Sequence, residues 1–202
     1  MRDAENIREI ERAIANSSLF TLHSSLFLMG FIFWPKSSRY VSKRPNYLPT
    51  KCKRVGVFVD EDIEKVRGIA DEYALDYIQL HGHETPAYVA QLHKRSIIKA
   101  FNIATKEDLE ATKVYEGIVD YFLFDTKGKS VGGNGEKFDW SVLFDYDGNT
   151  PFLLSGGIGP DDAERIKVFC HPKCIGIDLN SRFETAPGYK DINKLKKILE
   201  QL

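Results

Sequence analysis

Short segments that are almost wholly apolar recur about every 20–30 residues, which is the repeat of a strand–helix unit. Residues 55–59 and 121–124, for example, contain no charged side chain. Continuous apolar segments of this length are typical of parallel strands that are covered on both faces of a sheet. The predicted strands are residues 29–34, 54–59, 76–80, 97–101, 121–124, 151–155 and 174–179.

Amphipathic segments separate these strands. Residues 60–74 carry apolar side chains at positions 63, 66, 69, 70 and 73, which form one face of a helix. Further helices are predicted over residues 3–15 and 191–202, after Thr85-Pro86, after Thr105 and after Pro160, and a weakly patterned one near residues 41–50.

Strict alternation of strands and helices predicts an α/β fold, either a closed (β/α)8 TIM-type barrel or an open doubly wound sheet. Glycine-rich turns late in the chain favour the barrel, and the Gly-x-Gly-x-x-Gly motif of dinucleotide-binding folds does not follow the first predicted strand. The first predicted element is a helix. The pattern therefore indicates a barrel that is truncated at its N-terminus, with the first strand missing or replaced.

Composition narrows the class of protein. The 202 residues are enough for one domain, which we expect to span residues 1–202. A formal net charge of −1 gives no reason to bind nucleic acid or an anionic membrane, and no apolar segment is long enough to span one. Three cysteines and an acidic N-terminus without a signal sequence indicate a reducing, cytoplasmic location.

The ends of two late strands carry the features of a phosphate site. Ser155 is followed by Gly156 and Gly157, and the last strand leads into Asp178, Asn180 and Ser181. Glycine lets a backbone approach an anion closely, and barrel enzymes hold phosphate at such turns. The alternative is a pair of tight turns without a ligand.

Three side chains at or after other strand ends are candidates for chemistry. Asp125 follows an apolar strand, where partial burial can raise the pKa of a general acid; a loop cap is the alternative. His81 ends a strand and Arg39 lies in the loop after the first strand, where it can hold a carboxylate. Each has an ordinary alternative, a structural histidine or a solvated arginine.

Other parts of the chain give weaker indications of chemistry or structure. The three cysteines are predicted to lie near the opposite face, and the segment from Cys170 to Cys174 lacks a second pair of ligands, so no metal site is expected. Residues 132–135 form either a flap over the site or a solvated linker. Residues 16–28 are long for a helix–strand connection, and residues 19–23 could form an extra strand.

Several motifs, taken in order, resemble the phosphoribosylanthranilate isomerase family. They are Pro35-Lys36-Ser37-Ser38-Arg39, Val55-Gly56-Val57-Phe58, Gln79-Leu80-His81-Gly82, Phe124-Asp125-Thr126, Gly132-Gly133-Asn134-Gly135, Ser155-Gly156-Gly157 and Gly176-Ile177-Asp178 with Pro187-Gly188. The resemblance runs over nearly the whole chain. It implies a (β/α)8 barrel that catalyses the Amadori rearrangement of N-(5-phosphoribosyl)anthranilate without a metal or organic cofactor, as a monomer or homodimer.

The resemblance also implies roles. Asp125 would protonate the ribose ring oxygen, Arg39 would contact the anthranilate carboxylate, and the turns at Gly156-Gly157 and Asn180-Ser181 would hold the phosphate. His81 and Asp178 would complete the substrate site. The family's base is a cysteine in a Lys-Ile/Val-Cys-Gly stretch, which this sequence does not contain. In addition, Asn180-Ser181-Arg182 stands where the family more usually has Ser-Ser-Gly.

Three interpretations follow. The first is an isomerase whose chain lacks the first strand, with activity impaired at least about 100-fold by loss of the base. The second is a non-catalytic barrel that binds a phosphate ligand. The third is another phosphosugar barrel enzyme, such as indole-glycerol-phosphate synthase, although no matching catalytic lysine and glutamate are found on the early strands. An open doubly wound binding protein is a more distant alternative.

Overall fold

The computed structural model describes residues 1–17, 26–92, 94–126 and 139–202. Within them, seven parallel strands form one curled sheet in which sequence order and spatial order are the same. The strands are β1 (Leu28–Ile32), β2 (Lys53–Phe58), β3 (Tyr77–Leu80), β4 (Ser96–Ile103), β5 (Tyr121–Thr126), β6 (Phe152–Ser155) and β7 (Cys174–Ile177). The seven predicted strands and the TIM-barrel class are thus confirmed.

α-Helices or 3₁₀ segments lie between the later strands, whereas the connection from β1 to β2 is irregular. The helices are α1 (Ala4–Ala15), α2 (Ile63–Glu72), α3 (Pro86–Val89), α4 (Ala163–Val168) and α5 (Ile192–Gln201), with 3₁₀ segments at Ala90–Leu92, Lys106–Tyr115, Trp140–Asp145 and Ser181–Phe183. The carboxylate of Asp62 accepts hydrogen bonds from two backbone N–H groups at the start of α2. Asp191 caps α5 in the same way, and Asp3 caps α1 by accepting from the Asn6 N–H.

The sheet is buried on both faces, as its apolar strands predict. Val55, Ile98, Ala100 and Leu123 form an inner cluster in the concave face. The residues that alternate with them, among them Phe58 and Phe122, point outward beneath the helices and are fully buried. Alternation of this kind is what a barrel strand requires, since its two faces contact two different layers.

β1 and β7 are the two edge strands of this sheet, and each pairs with one neighbouring strand among the described residues. α1 lies near this part of the molecule, because the Asn6 side-chain amide accepts from the Lys190 N–H at 2.8 Å and donates to the Lys190 carbonyl at 2.9 Å. Lys190 belongs to a small hairpin of β8 (Glu184–Ala186) and β9 (Tyr189–Lys190). The predicted extra strand at residues 19–23 lies outside the described residues.

Three local predictions need correction. The helix expected near residues 41–50 is absent; this segment is irregular, and it contains Pro45 and Pro49, which cannot donate the backbone hydrogen bonds of a helix. The helix expected directly after Pro160 begins later, at Ala163. The segment after Thr105 is a 3₁₀ helix, although the Asp108 carboxylate accepts from the Thr105 N–H as its capping pattern predicts, at 2.9 Å.

Candidate active site

Because all seven strands are parallel, their carboxyl ends meet at one edge of the sheet. His81 follows β3, Asp125 is the second-to-last residue of β5, and Asp178 follows β7. In the strand register, Asp125 is flanked by Asn102 of β4 and Ser155 of β6. Asp125 also follows Leu123 of the inner cluster by two residues, which places it on the concave face.

His81 and Asp125 face each other across this end of the sheet. His81 Nε2 lies 3.9 Å from Asp125 Oδ2, and both side chains are about a quarter exposed, at 27% and 28%. On its other side, His81 Nδ1 lies 3.1 Å from the Gln79 side-chain nitrogen. The imidazole is therefore held between an amide and a carboxylate.

Burial lowers the pKa of His81, and the negative charges of Asp125 and Asp178 raise it without fully compensating. As the pH falls, the imidazole of His81 therefore remains neutral down to a lower pH than that of an exposed histidine. A neutral imidazole can both donate and accept a hydrogen bond. With Nδ1 facing the Gln79 amide, the neutral ring can direct an Nε2 N–H toward Asp125.

Asp178 joins the two late strand ends. Its Oδ2 accepts a hydrogen bond from Ser155 Oγ at 2.9 Å, and its backbone N–H donates to the Leu154 carbonyl at 2.8 Å. The charge of Asp178 acts on His81 and on Lys190 alike. The carboxylate thus lies between the His81 side of the site and the β8–β9 hairpin.

The two predicted phosphate turns follow β6 and β7. Gly156 and Gly157 have positive φ angles of 91° and 67°, a backbone conformation that side chains with a Cβ rarely adopt. Asn180 and Ser181 lie in the next turn, where Lys190 Nζ donates to the Asn180 carbonyl at 2.9 Å and to its side-chain oxygen at 3.2 Å. The turns are neighbours, because β6 and β7 pair directly.

Arg39 reaches the same region from the loop after β1, but its guanidinium already contacts a carboxylate. Nε and Nη2 approach the Glu184 side chain at 2.8 and 2.7 Å, and that side chain is only 5% exposed. Lys190 lies on the other side of Glu184, at 3.4 Å. Burial alone would raise the pKa of Glu184, but the hydrogen bonds from Arg39 and the charges of Lys190 and Arg39 lower it overall.

A buried ion pair lies under the loop that carries His81. Lys99 Nζ is 3.2 Å from Glu84 Oε2, and the two side chains are 3% and 1% exposed. Lys99 also donates to the Gly82 carbonyl at 2.8 Å, while Glu84 accepts from the N–H groups of Gly82 and Asp60. Gly82 is required here, because a Cβ at this position would lie 2.7 Å from the Asp60 backbone nitrogen.

Sequence reasoning missed four residues of this region: Asn102, Glu184, Lys190 and Lys99. Only Asn102 had a usable signal, because it is a polar residue near the end of an apolar strand. Lys99 stands among apolar positions of β4, and its partner Glu84 cannot be identified from spacing. Glu184 and Lys190 come together only through the β8–β9 hairpin.

The cysteines lie away from this end, as predicted. Cys52 precedes β2, Cys174 begins β7, and Cys170 lies between α4 and β7. Burial raises the pKa of Cys52 to about 12 and also raises that of Cys174, so neither forms a thiolate at neutral pH. The predicted flap at residues 132–135 lies outside the described residues.

In the described part of the chain, no group of three or more histidine, cysteine, aspartate or glutamate side chains could hold a metal ion. None of the helices there is both long enough and apolar enough to cross a bilayer. The absence of a metal and of an organic cofactor remains a prediction.

Comparison with known proteins gives a consistent result. The family profile described as N-(5'phosphoribosyl)anthranilate (PRA) isomerase matches residues 10–201. The N-(5'-phosphoribosyl)anthranilate isomerase of Parabacteroides distasonis is 50% identical over 210 residues, which covers 100% of this chain and 90% of the relative.

Two solved structures extend the likeness to the fold. The phosphoribosyl anthranilate isomerase of Thermotoga maritima superposes with a TM-score of 0.74 at 32% identity and covers 91% of each chain. A phosphoribosyl anthranilate isomerase in complex with reduced 1-(o-carboxyphenylamino)-1-deoxyribulose 5-phosphate gives a TM-score of 0.72 at 30% identity, with 94% of each chain covered.

Proposed function

The chain belongs to the N-(5'-phosphoribosyl)anthranilate isomerase family, the isomerases of tryptophan biosynthesis, and we propose that the strand-end site around Asp125 carries this reaction. The observation that supports the assignment most is the arrangement of Asp125, His81 and the Gly156-Gly157 turn at one end of the sheet. An acid can open the ribose ring of the substrate, and an anion-binding turn at the same end of the sheet can hold its phosphate.

We propose that Asp125 is the general acid. Its proton goes to the ribose ring oxygen as the bond from that oxygen to C1 breaks, which leaves an open-chain Schiff base. Removal of the C2 proton then gives the enol form of the product. A proton returned to C1, with loss of the proton on the C2 hydroxyl, gives the ketone. Electrons move only within the substrate, so the balance needs no external oxidant or reductant.

The two ends of the substrate are both anionic, and we assign each an anchor. The phosphate lies at the backbone N–H groups near Gly157 and Ser181, because positive φ angles and small residues leave these amides accessible. The anthranilate carboxylate lies at Arg39. Because Glu184 contacts Nε and Nη2 of Arg39, we place the substrate carboxylate at Nη1.

The base that removes the C2 proton is not supplied by Cys52, Cys170 or Cys174. All three lie toward the other end of the strands, and the raised pKa of Cys52 and Cys174 disfavours the thiolate. The resemblance implies a cysteine in a Lys-Ile/Val-Cys-Gly stretch, which does not occur in the 202 residues. We therefore expect the chain to react slowly.

The proposed function is tested by incubating the purified protein with N-(5-phosphoribosyl)anthranilate and separating the products by chromatography. An isomerase gives 1-(2-carboxyphenylamino)-1-deoxyribulose 5-phosphate, which has the mass of the substrate. Unchanged substrate at high enzyme concentration would support a binding protein instead. When the carboxyphenylamino product is itself the substrate, release of carbon dioxide would indicate an indole-glycerol-phosphate synthase.

The proposal also covers location, domain organisation, partners and oligomeric state. We propose a cytoplasmic protein of one domain over residues 1–202 that acts on this small phosphosugar substrate as a monomer or homodimer, without nucleic acid or membrane as a partner.

A further inference from the structure

An exposed guanidinium lies beside the candidate phosphate turns and has no role in the site described so far. From its geometry we infer that Arg182 is a phosphate-binding residue of this chain, whose side chain closes over the anion held near Gly157 and Ser181. The inference rests on the proposed function, because it takes the ligand to be a sugar phosphomonoester. It adds a charged side chain to a site otherwise formed by backbone N–H groups.

Arg182 packs directly against the first turn. A Cβ built on Gly159 would lie 3.3 Å from Arg182 Cδ and 3.6 Å from Nη1. The guanidinium therefore reaches from the turn after β7 to the turn after β6, two residues beyond Gly157. Gly159 leaves the space that this crossing needs.

The backbone that carries Arg182 is held on both sides. Phe183 is fully buried, its N–H donates to the Asn180 carbonyl at 3.1 Å, and its carbonyl accepts from the Asp191 N–H at 2.8 Å. On the other side, Lys190 Nζ bonds the Asn180 carbonyl. A long side chain on a fixed backbone loses less conformational entropy when it binds an anion.

The charges around Arg182 leave it available. Among the described residues, no carboxylate lies within ion-pair distance of its guanidinium, whereas Arg39 is paired with Glu184. Asp162, the acid beside Gly159, accepts the Gly159 N–H at 2.8 Å and is buried. Guanidinium groups match phosphate oxygens in a two-point geometry, which makes Arg182 suited to a terminal phosphomonoester.

The test measures binding of ribose 5-phosphate by isothermal titration calorimetry, with ribose as the phosphate-free probe. We expect the parent chain to bind ribose 5-phosphate and not ribose. Arg182→Ala should raise Kd about tenfold or more, since a charge-assisted two-point contact is lost. The Kd of Arg182→Lys should lie between those of the parent and Arg182→Ala, because lysine keeps the charge but cannot make the two-point guanidinium contact.

Arg8→Ala is the matched control. Arg8 is an exposed arginine on α1 that pairs with Glu5 at 3.2 Å, so its removal changes the net charge equally without touching the site. Thermal melts establish that all variants are folded. A Kd for Arg182→Ala within twofold of that for Arg8→Ala, or no binding of ribose 5-phosphate by the parent chain, would overturn the assignment.

These outcomes are separable from those of the proposed function. If the parent chain binds ribose 5-phosphate through Arg182 but forms no isomerase product, Arg182 is a phosphate-binding residue and the proposed reaction is wrong. If product forms while Arg182→Ala binds ribose 5-phosphate as tightly as Arg8→Ala, the reaction stands and the role of Arg182 is refuted.

Discussion

At the scale of single residues, Glu184 holds Arg39, the residue to which we assign the anthranilate carboxylate, in place. It separates two cations, Arg39 and Lys190, which would otherwise repel each other at close range. Its side chain is almost fully buried, so the ion pair is poorly screened by solvent. Glu184 therefore both stabilises the β8–β9 hairpin and fixes the direction in which Arg39 points.

Glu184→Gln should lower the free energy of unfolding at pH 7 by about 2 kcal/mol, because two buried or half-buried cations lose their counter-charge. The pKa of Glu184 lies below its ordinary value in the folded protein. Its stabilisation is thus present at neutral pH and is lost as the pH falls through that folded pKa. Urea denaturation between pH 7 and pH 3 should show the difference between parent and variant shrinking on acidification. A difference that does not depend on pH would refute this account.

At the scale of elements, the loops after β2 and β3 are connected into one unit by the Lys99–Glu84 pair. Glu84 accepts from the N–H groups of Asp60 and Gly82, and Lys99 donates to the carbonyls of Leu80 and Gly82. Nearly every polar atom of this pair has a partner, which is the condition under which a buried ion pair is tolerated. The loop that carries His81 is held rigid as a result.

Removing one partner of this pair should be costly. Lys99→Met leaves the Glu84 carboxylate buried without a counter-charge, and the expected loss is about 3–5 kcal/mol of unfolding free energy. Glu84→Gln should cost a similar amount, and the double variant should cost less than the sum of the two. A double-mutant cycle by urea denaturation measures the coupling. Additive single effects would show that the two side chains are not energetically paired.

At the scale of the whole molecule, seven of the eight strands of a TIM-type barrel are present in the described sheet, with β1 and β7 as its edges. Edge strands expose unpaired backbone groups, and a further parallel strand between them would close the barrel. The resemblance places the catalytic cysteine at the end of such a strand. On this resemblance, one strand between β1 and β7 would both pair their exposed edges and carry the family's base.

Adding a strand that ends in Lys-Val-Cys-Gly ahead of Met1 should raise kcat/KM for the isomerase reaction at least about 100-fold, because it supplies the general base. A second fusion ending in Lys-Val-Ser-Gly is the matched control, since it closes the sheet without a thiol. Both are assayed at equal folded concentration, judged by circular dichroism. Equal kcat/KM values for the chain and the cysteine fusion would show that another residue acts as the base.

The strands and their order were predictable because each is a short apolar segment between capped helices, and parallel alternation leaves few possible arrangements. The positions of Asp125, His81 and Asp178 at one end followed from the same rule. The segment around Pro45 and Pro49 is irregular and not helical, because apolar periodicity does not register the backbone N–H groups that the two prolines lack. Pairs such as Lys99–Glu84 and Arg39–Glu184 depend on tertiary contacts over 15 and 145 residues of sequence, which spacing does not reveal.

The central claim is that Asp125 opens the ribose ring, and steady-state kinetics of Asp125→Asn test it most directly. Parent and variant both carry the Lys-Val-Cys-Gly strand, so that the parent rate is measurable, and the exposed Asp147→Asn serves as control. We expect kcat to fall by about 10²–10⁴ with KM little changed, because a general acid acts on the transition state. A kcat for Asp125→Asn within about threefold of the Asp147→Asn control would contradict the account.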